Sequence, residues 1–292
     1  MKKIICFLSL LLFAAVTYGQ QSATETIKVE SHWKLSGITG LNFSQTALKH
    51  WAGGGESALA GNVYLNGELN YKKDRWTWDN SLALDYGLTR IKDSGVRKST
   101  DKIELASKLG YGINEKLYYA AMFDFKTQFA KGYNYPDNEK HFSNFMAPGY
   151  TTFSIGLDYK PCDKLSLYYS PLAIRTIYVF DKELDGMYGV PEGKNIKSEV
   201  GTYFKTTYKN KIWENVDLIT KADFFTPYNK DFGNVVVDWD VLISMKINPF
   251  LNATLNTTLR YDDNVDFIEN GESKGPKVQW KQIFGLGLAY KF

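Results

Sequence analysis

Residues 57–72 read SALAGNVYLNGELNYK; one register of the stretch carries Leu59, Gly61, Val63, Leu65, Gly67, Leu69 and Tyr71, the other Asn62, Tyr64, Asn66, Glu68 and Asn70. A period of two marks an extended strand, because successive side chains leave opposite faces of the pleat. The apolar register suits lipid and the polar register suits water, which is the division found on the wall of a transmembrane barrel. A soluble β-sandwich or barrel also alternates, but it keeps its apolar register inside and its loops need not alternate in length.

The same period recurs to the end of the chain. Strands are expected near 33–47, 57–72, 75–91, 100–113, 117–131, 150–160, 164–178, 195–209, 215–227, 234–247, 251–262 and 278–292. Their connections fall into two kinds in alternation. Short turns occur at Lys73-Asp74, Asn114 to Lys116, Pro161 to Asp163, Asn210 to Glu214 and Asn248-Pro249. Between them come longer segments at Lys49 to Glu56, Lys92 to Ser99, Gly132 to Gly149, Phe180 to Lys194, Tyr228 to Gly233 and Asp263 to Lys277. Bacterial outer-membrane barrels distribute periplasmic turns and extracellular loops in this way. The expected fold is therefore all-β, a transmembrane antiparallel up-and-down β-barrel of about 12 strands with both ends in the periplasm.

The last strand fits that orientation. Phe284, Leu286, Leu288, Tyr290 and Phe292 alternate with Gly285, Gly287, Ala289 and Lys291, and an aromatic final residue on such a strand resembles the signal read by the barrel-assembly machinery. Tyr71, Trp76, Trp78, Tyr118, Tyr119, Tyr159, Tyr208, Trp213 and Phe250 gather beside the short turns. Amphipathic rings favour a membrane interface, so these residues are expected to form one girdle.

At the other end of the chain, Lys2 and Lys3 precede an apolar run from Ile4 to Val16 that closes in small and polar residues. This pattern is a secretory signal peptide over 1–19, cleaved near Gly19, and the run is too short for a membrane helix. A short periplasmic segment over 20–32 and a barrel over 33–292 are expected to follow. Cys6 sits inside the run, which does not suit a lipoprotein signal, and Cys162 then has no partner for an intramolecular disulfide. The chain has 35 basic and 32 acidic residues, a net +3 that falls to +1 without Lys2 and Lys3. Such a balance indicates no nucleic-acid partner.

The polar register is expected to line the lumen. Its charged members include Glu68, Asp85, Lys102, Glu104, Lys108, Asp124, Lys126, Lys197, Glu199, Lys205, Asp238 and Arg260. Both signs are present in similar number, and a barrel of this size is narrow beside 16-stranded porins, so long side chains of opposite sign are within reach of one another. The expectation is a partly or wholly closed lumen, against the alternative of an open, weakly selective pore.

Three histidines bear on whether the barrel is an enzyme. His32 starts the first strand, His50 lies in the first long loop, and His141 lies in the third beside Asp137, Glu139 and Ser143. A lipid- or peptide-cleaving site would need such a His next to a nucleophile or an acid, but a long polar loop gathers those residues by chance, so no catalytic residue is assigned. Asp262-Asp263-Asn264-Val265-Asp266 opens like a calcium loop, yet Phe267 stands where that loop needs Gly and Ser273 where it needs Glu. No metal and no cofactor is expected. Glu25 to Val29 looks like the short box of energised transporters, whose plug and about 22 strands this chain has no room for; it reads as a coincidence in a flexible tail, with addition to a periplasmic partner as a strand as the alternative.

The first loop carries His50-Trp51-Ala52-Gly53-Gly54-Gly55-Glu56, a glycine run that permits positive φ, with Trp51 placed to pack over the barrel mouth. It is followed by Asn62, Asn66 and Asn70, then Trp76, Trp78-Asp79-Asn80 and Tyr86-Gly87. In Trp51, Gly53, Gly54 and Gly55, and in these later residues, the chain resembles the Bacteroidota outer-membrane barrels grouped as domain of unknown function 3078. The resemblance implies a barrel in the outer membrane and no known reaction or ligand. The expected function is a non-enzymatic outer-membrane barrel, either a narrow passive pore or an accessory subunit, with outer-membrane lipid, the barrel-assembly machinery and an envelope protein as partners. The alternative is a surface enzyme acting on lipid or peptide through a loop His.

Overall fold

The computed structural model describes residues 31–47, 56–133, 135, 137–229, 233–269 and 272–292. The expected signal peptide over 1–19, the Glu25 to Val29 segment, His50, Trp51, Gly53, Gly54 and Gly55 lie outside the described residues. In chain order the strands are β1 (Trp33–Thr46), β2 (Ala58–Lys73), β3 (Trp76–Ile91), β4 (Gly95–Gly112), β5 (Leu117–Thr127), β6 (Gly132–Tyr133), β7 (His141–Ser143) and β8 (Gly149–Cys162). They continue with β9 (Leu165–Tyr178), β10 (Ile196–Trp213), β11 (Val216–Pro227), β12 (Val236–Lys246), β13 (Leu251–Tyr261), β14 (Asp266–Glu269), β15 (Glu272–Pro276) and β16 (Gln279–Lys291). The twelve long strands pair antiparallel in chain order, and β1 pairs with β16 to close the barrel. Phe292 completes the seam, exchanging backbone hydrogen bonds with Gly37.

The two wall faces carry opposite chemistry. On β2, Val63 is 57% exposed and its neighbour Tyr64 only 6%. Leu35, Leu41, Phe43, Phe153, Ile155, Leu172, Phe284 and Leu288 are likewise exposed, whereas Asn42, Asp85, Asp124, Asp158 and Glu199 are buried. A protein in water avoids exposing an apolar surface that runs around the whole molecule, while lipid removes the penalty. At the end with the short turns, Trp33 packs on Tyr71 at 4.9 Å and Trp78 at 5.7 Å, and Trp76 meets Tyr111 at 5.0 Å. Trp213 and Phe250 are each 75% exposed at the same end. Tyr118, expected in this girdle, does not belong to it. It is buried, with Lys160 over its ring and its hydroxyl donating to the Glu115 carbonyl, because its parity on β5 is inward.

Other expectations are corrected. Lys92 to Ser99 is no long loop: a three-residue turn follows Ile91, and β4 begins at Gly95 with Ser99 absorbed in a bulge opposite Gly87 and Leu88. Loop length therefore does not alternate strictly. The fifth strand stops at Thr127, not 131, and β10 runs on to Trp213, which leaves Glu214 and Asn215 as the turn. The longer connections carry structure of their own. β6 pairs with β7, β14 pairs with β15, and a 3-10 turn spans Lys182–Leu184.

Pro171 interrupts β9, since it has no N–H for the ladder. The strand bulges there, and Ser170 Oγ fills the gap by donating to the Ile155 carbonyl at 2.8 Å and accepting from the Leu172 N–H at 3.2 Å. The backbone passes so close that a Cβ on Gly156 would sit 2.0 Å from the Tyr169 carbonyl oxygen. The bulge has a further effect: Ser166, Tyr168 and Ser170 face the interior before it, and Ala173, Arg175 and Ile177 after it. The inward parity of β9 changes from even to odd.

Candidate functional site

The inward register brings charges together across the barrel. Lys102 on β4 bridges Glu104 and, on the opposite wall, Asp240 of β12, both at 2.9 Å. Arg260 on β13 joins Glu104 at 3.3 Å to Asp238 at 3.2 Å. Lys126 on β5 holds Asp238 at 2.6 Å and Asp223 at 2.7 Å. Lys205 on β10 then links Asp223 to Asp124, at 3.5 and 2.6 Å. Lys102, Lys126, Lys205 and Arg260 thus alternate with Glu104, Asp124, Asp223, Asp238 and Asp240 in one continuous lattice. In barrel order β4 and β12 lie six strands apart in a ring of twelve, so the Lys102–Asp240 pair spans a diameter. Beside the lattice the lumen is filled by Met122, Tyr168, Tyr203 and Phe225. Tyr203 ties the two by donating to Asp124 at 3.3 Å. Charges taken from water cost several kcal/mol per ion unless geometry and hydrogen bonds compensate, and chains of opposite sign provide both.

Toward the short turns the pairing continues. Lys108 meets Asp158 at 2.7 Å, Lys160 meets Asp79 at 2.7 Å, and Lys209 of β10 reaches Glu68 of β2 across the full width. Asn62 donates to Asp85 at 2.9 Å beside Tyr64, next to a cavity of about 30 Å³, room for a single water. On the loop side, Lys197 pairs with Glu199 at 2.9 Å, and Glu199 also receives Arg175. Each charged residue singled out from the polar register thus lies on the inner wall with a polar partner beside it.

Above the lattice opens a vestibule of about 2080 Å³, whose floor includes Lys102, Lys126, Asp238 and Arg260 and whose walls reach the loops. Its roof is stitched from three connections. His141 Nε2 lies 2.8 Å from Asp181 and Nδ1 3.1 Å from Glu183, and Asn144 donates to Asp181 at 2.7 Å. The Asn144 and His141 bonds hold the Asp181 carboxyl down at about 2. Tyr188 donates to the Phe142 carbonyl, and burial pushes its phenol up. Ala147, Ile177, Val179, Leu184 and Val190 form a small dry core beneath. Arg175 joins the roof to the wall, binding Asp262 and lying 5.0 Å over Tyr150.

In sequence His141 stands beside Asp137, Glu139 and Ser143, and the fold gives it other neighbours. Both ring nitrogens face carboxylates of the next loop, and Asp137 instead accepts from the Glu139 N–H at 2.8 Å. This is a clamp between loops, with neither nitrogen aimed at a hydroxyl nucleophile. The acidic run of the last loop is also engaged internally. Asp262 accepts from Arg175 and Asn264, Asp263 from Tyr261, and Asp266 from Ser273. Among the described residues no group of three or more His, Cys, Asp or Glu is placed to hold a metal ion. Arg175, Asp181 and Glu183 escape a reading of the sequence; the bulge at Pro171 hides Arg175, and only tertiary proximity reveals the other two.

Comparison with known proteins gives a match to a family model over part of the chain. No curated protein matches the sequence. Among solved structures, an outer membrane channel from Pseudomonas putida F1 aligns at 11% identity over 94% of this chain and 100% of its own, with a TM-score of 0.41. The NanC porin aligns at 7% identity over 87% and 99%, with a TM-score of 0.40. The translocator domain of the autotransporter NalP from Neisseria meningitidis gives 10% identity over 100% and 97%, at 0.34. At such scores these likenesses carry no weight, and the barrel stands on its own strand pairing. Residues 43–133 match a family model described as Protein of unknown function (DUF3078), a span that includes Trp51, the glycine run, the Asn-rich strand, Trp76, Trp78 and Tyr86-Gly87. Over residues 43–133, then, the chain is similar to the DUF3078 family model, in the same stretch whose motifs carry the resemblance.

Proposed function

We propose that the chain is a non-enzymatic integral barrel of the outer membrane, shut inside, that serves as an accessory subunit of an envelope complex and not as a standing pore. The observation that carries this reading is the lattice joining opposite walls through Lys102, Arg260, Lys126 and Lys205. The membrane location draws support from the signal-peptide pattern, the exposed apolar wall and the aromatic girdle. In that setting the short turns face the periplasm and the vestibule faces out. A narrow pore is the second reading. It is favoured by the depth of the vestibule, which reaches the lattice from outside, and it requires the lattice to part. An enzyme acting through His141 finds less support, since among the described residues both ring nitrogens face the carboxylates of Asp181 and Glu183.

The test is affinity purification from native outer membranes with heat-modifiable gel migration as the check on folding. The expected result is a folded barrel in the outer-membrane fraction with a stoichiometric protein partner. A protein recovered soluble from the periplasm, or a folded barrel that is always alone, contradicts the proposal.

A further inference from the structure

Most lumen cations have a carboxylate partner, but at the mouth formed by the short turns the inward register carries cations without one. Lys34 of β1, Lys72 of β2, Lys211 of β10 and Lys246 of β12 all occupy that register at the short-turn ends of their strands, and all are exposed. Their register neighbours show the parity. Lys34 lies opposite Asn70, Lys72 opposite the buried Thr77, and Lys246 opposite the buried Asn252. Among the described residues no carboxylate pairs with any of these four side chains. Lys211 lies opposite Asp217, but that carboxylate is taken by Lys291 from β16. Deeper in the same register, Lys221 and Lys281 also lack an ion pair among the described residues, and Lys281 donates to Thr100 at 3.4 Å. The turns themselves are balanced, with Lys73, Arg75, Lys116 and Lys164 set against Asp74, Glu115, Asp163 and Glu214. The mouth therefore carries a cationic excess, and the four inward lysines supply it.

We infer that this mouth is a docking surface for an acidic polypeptide segment of a periplasmic partner. The inference rests on the location proposed above and names the surface its accessory role would use. Two features favour a polypeptide over lipid headgroups. The lysines belong to the register that faces the axis, whereas lipid meets the other one. They also come from the arc that runs in barrel order from β2 through β1 and β12 to β10, while the β3, β4 and β8 side is neutralised by Asp79–Lys160 and Lys108–Asp158. A one-sided crescent of water-exposed cations, without carboxylate partners among the described residues, lies beside a rim of aromatic rings and suits a segment with several Asp or Glu, which it would steer and hold by charge complementarity.

The probe is a short Glu-rich peptide with a fluorescent label, titrated by anisotropy against the full-length folded barrel in neutral detergent at low and high salt. Binding should weaken with salt, and a Lys-rich peptide should not bind. The triple variant Lys34→Gln, Lys72→Gln, Lys246→Gln should weaken it by about tenfold or more. Neutralising loop-side cations instead, with Lys92→Gln, Lys140→Gln and Lys194→Gln, should leave it unchanged. Heat-modifiable migration of each variant reports that it is folded. Unchanged binding in the mouth variant overturns the inference, as does complete competition by anionic phospholipid micelles, which would make the surface a headgroup site. The titration uses purified barrel, so it can fail or succeed apart from the pull-down that tests the accessory role.

Discussion

The lattice and the short-turn mouth are built from the same kinds of side chain on the same inward register, yet they follow opposite rules. Inside, Lys126 is held by two carboxylates and Lys205 by two. At the mouth, Lys246 ends β12 exposed to water, with no carboxylate paired to it among the described residues. Depth makes the difference. Water solvates a charge at the rim, whereas a charge deep in the lumen gains most from a protein partner of opposite sign.

The comparison breaks most visibly at Lys126. Lys126→Ala leaves Asp223 and Asp238 without a shared cation and should cost about 3–5 kcal/mol, while Lys246→Ala should stay within about 0.5 kcal/mol. Denaturant unfolding of the barrel in lipid vesicles measures both, and equal costs would show that the lattice is not a stabilising element. Replacing the pair together, Lys102→Met with Asp240→Leu, should be far milder than either change alone, because the two charges leave together.

The outer wall supplies the next test. Val63→Arg puts a charge on the exposed apolar face and should cost about 2–4 kcal/mol if that position lies near the bilayer midplane. The same vesicle titration reads it, and a neutral result would mean that this face does not meet lipid. A smaller effect is expected where the inner wall is filled by a ring. At Gly40 an added Cβ would sit 2.6 Å from both the Tyr64 hydroxyl and the Leu288 carbonyl oxygen, so Gly40→Ala should lose about 1–3 kcal/mol.

The smallest effect belongs to the roof. Asp181 is held down at about 2 by Asn144 and His141, against an ordinary value of 3.8. A carboxyl depressed in the folded protein gives stability that is present above the ordinary value and lost as pH falls toward the depressed one. Limited proteolysis of the loops by an acid-active protease should therefore rise as the pH falls from about 4 to about 2. In Asp181→Asn that rise should be reduced, and an unchanged profile would show that Asp181 does not tie the loops.

Much of this was legible in the sequence, and the exceptions have physical causes. Alternation placed all twelve long strands, and the inward parity of Lys102, Glu104, Asp124, Lys126 and Lys205 followed from period two alone. The reading failed where the period itself is broken. The bulge at Ser170-Pro171 shifts the parity of β9, so Arg175, which an unbroken period of two from Ser166 and Tyr168 would turn outward, lies inside in the fold. The polar run after Lys92 looks like a loop, but the ladder continues through it by absorbing Ser99. Which cation meets which carboxylate was not readable at all, because partners such as Lys102 and Asp240 are 138 residues apart and are joined only by closure of the barrel.

Single-channel recording of the purified barrel in a planar bilayer tests the central claim most directly. The lattice predicts that the wild type is silent and that Lys102→Ala with Arg260→Ala gives measurable conductance in a barrel that is still folded. Steady conductance steps from the wild type, unchanged by those substitutions, would contradict it.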